Sequence, residues 1–564
     1  MAISFEALFG NHRARQVEAA TDRVAGSPVA SFVVLVVVAL ACFLPGYATI
    51  PPIDGDGPAY AVAAREMVAT GDFATVRVQT DMQPWRPNGM EWLEAATLIL
   101  TGQTDNPPIW IYRIPSLIGA IATVLLTWWT MLAFGRPRAA LLAGILVAGS
   151  GVLGLQARLA APDAMLVAAT TLAAGALARM WLANDKPVDG SLSWLFWVAI
   201  AGGLLLKGIV APGMAAVAVL ALSVERGDVG WLGRLRPAVG VVVITVFALP
   251  WLSSIAALAI SDSGGPDIPF LTRIGVPFAL EAPPTTYALV APLLAGPAVT
   301  LAFAGTPWLA ANVRRPAVFF ALAWGLPLWL VAELITDKMP QYVLPAIPPI
   351  AMLAAVAVDE GAARIKGRIS QFYASSPLIW PPVIAVAIPA GFMALEGWFP
   401  LAAFAAFVVA GVLGPVAWLW LKRGHAVAAS SLAVLSAALI YLGFFGSILP
   451  AVSGLRVAEQ IVAVGRQHVS CPDPSFAAAG FPEESMVLMG GRNTLLTDGT
   501  GAADFLDMRG CRIAAIDTTQ ISSFRQRADD LGLDLTERGR VMGFDTRKTR
   551  RVDIHLFSVR GTGI

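Results

Sequence analysis

Charged side chains are scarce in this chain, and their scarcity narrows the class of protein. Asp, Glu, Lys and Arg make up 14% of the 564 residues, whereas hydrophobic residues make up 57%. Soluble domains carry about 25% charged residues. The formal net charge of +1 leaves no basic excess for nucleic acid, so no nucleic-acid partner is expected. The composition predicts a polytopic membrane protein.

Histidine is also scarce, which restricts the chemistry open to the chain. The four histidines are His12, His425, His468 and His555. None lies in the membrane-proximal loops predicted below to face outward, so a Ser-His-acid triad or a histidine metal site is excluded there. A general base on that face must be a carboxylate, and its cations must be Arg and Lys. No cofactor is predicted, and a divalent cation bound through carboxylate oxygens is neither required nor excluded.

Long apolar runs dominate the sequence. About thirteen reach membrane-spanning length: 29–47, 113–134, 138–156, 164–183, 191–206, 208–224, 237–260, 287–310, 317–335, 340–358, 378–397, 401–421 and 426–450. The first run follows a segment too long and too mixed in charge for a signal peptide, so we expect an uncleaved span. Arg and Lys concentrate in alternate loops, which predicts that those loops are cytoplasmic. An odd number of spans places the C-terminus on the side of the membrane opposite to the N-terminus.

The chain therefore divides into three predicted parts. Residues 1–28 form a cytoplasmic N-terminal segment, 29–450 a transmembrane domain, and 451–564 a small periplasmic α/β domain. The first outer loop, 48–112, contains two helical patterns that predict short interfacial helices. The predicted class is thus an all-α polytopic membrane protein with a soluble α/β domain at its C-terminus.

The C-terminal domain differs from the rest in composition. Its predicted helices are 456–467 and 519–531, and its predicted strands are 485–491, 511–517 and 552–559. Cys471 and Cys511 lie in this domain and are a candidate disulfide if it faces an oxidising compartment. Cys42 lies in the first span, where it is expected to pack as a small apolar residue.

Several ionisable residues on the predicted outer side have both a structural and a chemical interpretation. Asp54 and Asp56, in "IDGDGPAY", are typical of a turn, and Asp163, in "ARLAAPDAM", is typical of a helix cap. Lys207 and Lys338 are each suited to anchoring a span at the interface. Lys207 stands alone between two apolar runs, which favours a functional role.

The order of these motifs is more specific than any one of them. The first outer loop contains "DGPAYAVAAREM", "WRP" and "EWLEA"; "ARLAAPDAM", "KG" and "KMPQYVLPAIPP" follow at later junctions on the same side. This order resembles the glycosyltransferase C superfamily, specifically its lipid A aminoarabinose transferase and protein O-mannosyltransferase-like group, over about residues 29–360.

The resemblance implies a function. It implies an integral enzyme of the bacterial inner (plasma) membrane, with a glycosyltransferase C type fold. Such an enzyme moves one sugar from a polyprenyl-phosphate donor to a lipid or glycan acceptor of the envelope, such as lipid A. Transfer is expected on the periplasmic face, with inversion and with the help of an aspartate.

The resemblance also implies roles for individual residues. The catalytic acids are Asp56 and Asp163; the donor-phosphate contacts are Arg86, Lys207, Arg273, Lys338 and Tyr342; the acceptor or supporting residues are Asp54, Tyr60, Glu91 and Arg158. Two positions depart from the family pattern, since Gly57 replaces its Glu and Ala59 its Arg. The acceptor is therefore not identified by the motifs.

Two other functions are compatible with the architecture. A lipid or glycan transporter normally has ionisable residues near the bilayer midplane and paired repeats. Here such residues lie at the outer ends of spans, and no repeat is found. An envelope scaffold could bind a partner through "TRKTRR" (546–551), although such a run is more often a solvated face.

Overall fold

The chain forms two compact units, seen in a computed structural model. The residues it describes are 9–53, 56–79, 81–83, 86–104, 107–183, 187–261, 280–335, 337–365, 367–467, 474–481, 483–508, 510–546 and 550–560. The first unit comprises Met1–Tyr47, Pro84–Met90 and Arg113–Ile448, and the second Ala48–Gln83, Glu91–Tyr112 and Leu449–Ile564. The structure thus groups most of the first outer loop with the C-terminal domain, whereas the predicted boundaries kept it with the spans.

The first unit is helical. Its described α-helices are Asn11–Ala25, Pro28–Phe43, Ile114–Leu132, Pro137–Ala148, Gly151–Gln156, Asp163–Leu182, Gly190–Lys207, Val210–Arg226, Pro237–Ser261, Thr286–Leu294, Pro297–Ala304, Thr306–Ala311, Pro316–Leu334, Ile347–Asp359, Arg368–Ala374, Ser376–Glu396, Leu401–Lys422 and Ala426–Gly443. Several begin with proline, whose fixed φ suits the first helical position and whose missing N–H costs nothing there. Short 3-10 helices occupy Gly230–Leu235 and Pro340–Ala346, and a two-residue ladder pairs Leu280–Glu281 with Asp337–Lys338.

The predicted count of thirteen spans is not reached in the described part of the chain. Eight helices are long and apolar enough to cross a membrane, or up to ten if each of two bent pairs is one span. Part of the difference arises because some apolar runs are broken. The run 138–156 is interrupted after Ala148, and the run 287–310 is interrupted after Leu294.

The two interruptions lie against each other. A Cβ on Gly296, whose φ is +59°, would lie 2.4 Å from the carbonyl oxygen of Gly149. The Ser150 hydroxyl donates to the Leu294 carbonyl at 2.9 Å, and the Tyr441 hydroxyl donates to the Gly149 carbonyl at 2.8 Å. The polar backbone exposed at each break is therefore satisfied inside the protein, as a low-dielectric surrounding requires.

The second unit contains one five-stranded sheet. Its strands are β1 (Ser475–Ala479), β2 (Leu495–Thr497), β3 (Arg512–Asp517), β4 (Leu535–Asp545) and β5 (Arg550–Val559), in the spatial order β2-β1-β3-β5-β4. The first three strands are parallel, and β5 runs antiparallel to both β3 and β4. The helices of this unit are Asp56–Thr70, Gly89–Thr101, Ile109–Tyr112, Val457–Gln467, Glu484–Gly490, Gly499–Asp507 and Ile521–Asp530.

Most predicted elements of the second unit are confirmed, and one is wrong. The two loop helices, the helices near 456 and 519, and the strands at 511–517 and 552–559 are present. The predicted strand 485–491 is instead the helix Glu484–Gly490, which ends before Gly491 at a φ of +95°. Its residues 485–488 are all buried, and an apolar run buried all round has no periodicity that separates helix from strand.

Basic and acidic residues on the predicted cytoplasmic side join the ends of several helices. Arg138 Nε lies 2.6 Å from Asp359 Oδ1, and Arg136 Nη1 lies 3.1 Å from Asp359 Oδ2. Glu360 pairs with Arg136 and accepts from Arg315 at 2.8 Å. The hydrogen bond from Arg136 holds the pKa of the Glu360 carboxyl below its usual value of 4.5.

Replacing Glu360 tests this network through its pH dependence. Because the folded-state pKa is lowered, the stabilisation is present above pH 4.5 and is lost as pH falls through the lowered value. We expect Glu360→Gln to lower the melting temperature of the detergent-solubilised chain by about 2–4 °C at pH 7. The difference in melting temperature between the variant and the parent chain should disappear below pH 4.5. Glu225→Gln, at an exposed position, is the control; a difference that is unchanged at low pH would contradict the assignment.

Candidate active site

Asp163 and Lys207 form an ion pair between two neighbouring spans of the first unit. Asp163 is the first residue of Asp163–Leu182, and Lys207 is the last residue of Gly190–Lys207. The Lys207 Nζ lies 2.9 Å from Asp163 Oδ1. Each charge also has the sign that its helix end favours, negative at the N-terminus and positive at the C-terminus. The structure thus brings together two residues that the sequence assigned to the site.

The Asp163 turn is fixed by the helix Ile114–Leu132. The buried Ser116 hydroxyl donates to the Ala161 carbonyl at 2.9 Å. A Cβ on Gly119 would lie 2.7 Å from the backbone nitrogen of Met165, so only glycine allows this approach. Asp163 is buried as a result, with 8% of its side chain exposed, whereas 27% of the Lys207 side chain is exposed. Lys207 is therefore the more exposed member of the pair.

The segment that carries Arg86 reaches the same helix end. A Cβ on Gly89 would lie 2.7 Å from the Leu205 carbonyl oxygen, two residues before Lys207. This contact places Gly89, three residues after Arg86, beside the last turn of Gly190–Lys207. Arg86 is half-buried, and Asn88 is buried.

Lys338 has a different environment from Lys207. It is buried, and its ammonium donates to the carbonyls of Ala332 at 3.0 Å, Glu333 at 2.6 Å and Ile335 at 2.6 Å. An ammonium has three N–H donors, and here all are directed at carbonyls that the end of Pro316–Leu334 leaves without helical partners. This geometry favours a structural role over the predicted phosphate contact.

Glu333 completes the surroundings of Lys338 and was missed by the sequence analysis. Its carboxylate accepts from the backbone nitrogens of Thr285, Tyr287 and Ala288 at 2.9, 3.3 and 2.8 Å, and lies 4.0 Å from the Lys338 ammonium. Tyr342 packs beside Tyr287 in the same cluster. The signal was present, since Glu333 is the lone acid of an apolar span.

Arg158 is fully buried and also donates to backbone carbonyls. Its Nε lies 2.6 Å from the Pro45 oxygen, its Nη2 lies 2.5 Å from the Cys42 oxygen, and its Nη1 donates to Gly154. The guanidinium lies 4.2 Å from the centre of the Phe445 ring. Arg158 therefore holds the turn after the first span.

The other predicted acids lie in the second unit. Asp56 is the first residue of Asp56–Thr70, a helix position at which a carboxylate is favoured. Tyr60, one turn later, is buried with 8% exposed. Glu91 and Glu94 on Gly89–Thr101 are fully buried.

Two further residues of the Asp56 helix bind the C-terminal domain. The buried Arg65 donates to the carbonyls of Val487 at 2.9 Å and Leu488 at 3.4 Å. Glu66 accepts both Nε and Nη2 of Arg492, at 2.9 and 2.8 Å. These residues were missed because their partners lie more than 400 positions away in sequence.

Some predicted residues lie outside the described residues, and no metal cluster is seen among those described. Asp54, Arg273 and Cys471 fall outside. Cys511 is disulfide-bonded and Cys42 is a free thiol. Because Cys471 lies outside the described residues, its pairing with Cys511 stays a prediction. Groups of three or more His, Cys, Asp or Glu suited to a metal are not found in the described part of the chain.

Charge exchange tests the Glu66–Arg492 contact. Glu66→Arg and Arg492→Glu each set like charges against each other, so each should speed proteolytic cleavage of residues 71–83 severalfold. The double exchange restores opposite charges and should return the rate to near that of the parent chain. Limited proteolysis with mass spectrometry measures this. Equal rates in all four proteins would show that the contact does not order the loop.

Comparison with known proteins identifies proteins that this chain resembles. Residues 58–257 match the family described as dolichyl-phosphate-mannose-protein mannosyltransferase. The undecaprenyl phosphate-alpha-4-amino-4-deoxy-L-arabinose arabinosyl transferase of Serratia proteamaculans is 24% identical over 335 residues, 56% of each chain. The corresponding transferase 1 of Pseudomonas fluorescens is 28% identical over 340 residues, 56% of this chain and 57% of that protein. The chain spans little more than half the length of these relatives.

A solved structure resembles nearly the whole chain. ArnT from Cupriavidus metallidurans, bound to undecaprenyl phosphate, matches with a TM-score of 0.69 at 20% identity, covering 94% of this chain and 98% of that one. The all-helical membrane fold with a C-terminal α/β domain is thereby confirmed. Asp163 and Lys207 both lie within the family match. The resemblance to membrane glycosyltransferases of the aminoarabinose and O-mannosyl transferase group, predicted from the motifs, is therefore confirmed.

Proposed function

We propose that this chain is an integral membrane glycosyltransferase that moves one sugar from a polyprenyl phosphate to an acceptor of the cell envelope. The observation that carries the proposal is the Asp163–Lys207 pair, at the ends of two adjacent spans and inside the family match. The relatives named above are arabinosyl transferases, and the similar solved structure holds undecaprenyl phosphate. No observation favours the transporter or scaffold alternatives.

Lys207 binds the phosphate of the donor. Its partly exposed ammonium supplies positive charge where negative charge develops as the sugar leaves the phosphate. Arg86 precedes by three residues the Gly89 that contacts this helix end, and it offers a planar donor fork suited to phosphate. Arg273 is the third proposed contact with this phosphate.

Asp163 acts through Lys207. Its carboxylate oxygen is 2.9 Å from the ammonium, so it fixes the position of Lys207. We therefore assign Asp163 as a positioning residue, and this changes its predicted catalytic role. Removal of its charge should affect catalysis less than removal of the lysine.

Asp56 is the proposed base. The acceptor oxygen attacks the anomeric carbon, the bond from that carbon to the phosphate oxygen breaks, and polyprenyl phosphate departs with the electron pair. With a hydroxyl acceptor, Asp56 takes the proton; with an ionised acceptor phosphate, it only orients the nucleophile. Attack opposite the leaving group inverts the anomeric centre.

The periplasmic location of transfer and the acceptor are parts of the same proposal. Basic residues concentrate on the side opposite the proposed site, which supports a periplasmic site. Lipid A, another glycolipid or a glycan is the acceptor. Mass spectrometry of envelope lipids and glycans from cells with and without this gene should show a mass difference of one sugar.

Substitutions test the proposed roles in the purified chain supplied with undecaprenyl-phosphate-linked sugar. We expect Asp56→Asn to abolish transfer and Lys207→Met to lower kcat/KM by about 100-fold or more. Lys207→Arg should retain part of the activity. The kcat/KM of Asp163→Asn should lie between that of Lys207→Met and that of the parent chain. Lys422→Met, at the far end of another span, is the matched control. Near-normal turnover by both Asp56→Asn and Lys207→Met would refute the assignment.

Reporter fusions test the orientation. Alkaline phosphatase fused after residue 560 should be active, because it folds only where disulfides form, and a green fluorescent protein at that point should stay dark. Fusions after Arg423, in a predicted cytoplasmic loop, should give the reverse pattern. Fluorescence at the C-terminal fusion would place the α/β domain in the cytoplasm and contradict the proposal.

A further inference from the structure

Two arginines meet at the C-terminal end of the helix Asp163–Leu182. Arg226 Nη1 donates to the Trp181 carbonyl and Arg234 Nη1 donates to the Met180 carbonyl, each at 2.9 Å. Both carbonyls belong to the last turn of the helix, where carbonyls have no helical donors. Because successive carbonyls of one helix are neighbours, the two guanidinium groups lie side by side at this end.

The segment that carries Arg234 is held in place by the neighbouring span. It is the 3-10 helix Gly230–Leu235. The Leu235 carbonyl accepts from the Ser193 hydroxyl at 2.7 Å and from Trp197 Nε1 at 2.6 Å. A side chain presented from a fixed segment loses less entropy when it binds a ligand.

Neither guanidinium forms an ion pair with a carboxylate in the part of the chain that the structure describes. The nearest described acids along the chain are engaged elsewhere or exposed, since Asp228 accepts from the Gly230 nitrogen at 2.7 Å and Glu225 is exposed. The cations at another helix end are matched, because Arg138 lies 2.6 Å from the Asp359 carboxylate. The arginine pair thus has an excess of positive charge.

The charge and the donors of the pair select the class of ligand. A guanidinium has five N–H donors, so each of the two keeps donors for another acceptor. Both side chains are half-buried, and a ligand at the protein surface can therefore reach them. Two adjacent like charges repel each other, and an anion that accepts from both relieves the repulsion. Phosphate oxygens match the planar donor forks of arginine.

Exposed apolar residues flank the arginine pair along the chain. The helix Val210–Arg226 approaches it, and the helix Pro237–Ser261 leads away from it. More than half of the side chain is exposed at Leu220, Val224, Val241 and Val242. Such surfaces suit acyl chains, and arginines where they end are at the level of lipid headgroups. A lipid phosphate therefore fits the site better than free phosphate does.

We propose that the adjacent guanidinium groups of Arg226 and Arg234 bind the phosphate of an anionic phospholipid, whose acyl chains lie on the exposed apolar faces beside them. The site lies wholly within the first unit, at the end of the helix opposite to Asp163. It does not rest on the proposed transfer reaction. The bound lipid neutralises the pair at the side of the membrane predicted to be cytoplasmic.

Native mass spectrometry of the delipidated full chain in detergent measures the binding. The probes are phosphatidylglycerol, phosphatidylcholine with the same acyl chains, and inorganic phosphate. Phosphatidylglycerol should bind about tenfold more tightly than phosphatidylcholine, because the choline ammonium is repelled by the second guanidinium. Equal binding of the two lipids overturns the proposal. Displacement of phosphatidylglycerol by inorganic phosphate at equal concentration identifies a free-phosphate site and overturns the lipid assignment.

Substitutions then locate the site. The double variant Arg226→Gln, Arg234→Gln should weaken phosphatidylglycerol binding by about tenfold or more. Arg314→Gln, at an exposed position on the same predicted side, is the matched control and should bind as the parent chain does. Unchanged binding by the folded double variant, or an equal loss in Arg314→Gln, contradicts the proposal.

A charge-conserving variant keeps the test open if the glutamine variant does not fold. Arg226→Lys with Arg234→Lys retains both charges and a donor for each carbonyl but removes the planar forks. It should weaken phosphatidylglycerol binding severalfold, with phosphatidylcholine binding unchanged. Phosphatidylglycerol binding equal to that of the parent chain would refute the role of the two guanidinium groups.

Discussion

A charge beside the bilayer core has to be neutralised. The way in which each cation is neutralised distinguishes residues that hold the fold from a residue that can bind a ligand. Arg158 and Lys338 are buried and donate to backbone carbonyls that helix ends leave unpaired. Their donors are engaged in holding the fold. Lys207 is paired with a carboxylate and keeps more than a quarter of its side chain exposed, so it can approach an anionic ligand. The motifs assigned Lys207 and Lys338 the same phosphate-binding role, because carbonyl partners leave no mark in a motif.

Hydropathy predicted the helical class correctly but could not see where spans are broken. The interruptions at Gly149 and Gly296 consist of small residues and a proline inside apolar runs, so the mean hydropathy hardly changes. The breaks are stable because they pack against each other. The Ser150 hydroxyl donates to the Leu294 carbonyl at the other break, and Gly296 allows the close approach. A property that depends on two segments nearly 150 residues apart is visible only in three dimensions.

The candidate site was predicted in part for a similar reason. Asp163 and Lys207 carry a local signal, since each is an isolated charge at the edge of an apolar run. Arg65 and Glu66 carry none, because an amphipathic helix is expected to have charged residues on one face. Their function appears only with Val487 and Arg492 in place, which connects the helix that begins at Asp56 to the C-terminal domain. That domain thus holds an element of the first outer loop.

This connection shows what the C-terminal domain does for the outer-loop helix. A helix of 15 residues is marginal in isolation. The buried Arg65 and the two-point Glu66–Arg492 contact fix the rotation and position of the helix. A base must be held within a fraction of an ångström to act. With Asp56 as the proposed base, the domain's part in the proposed reaction is to restrict the helix that carries Asp56, without its own residues touching the reacting atoms.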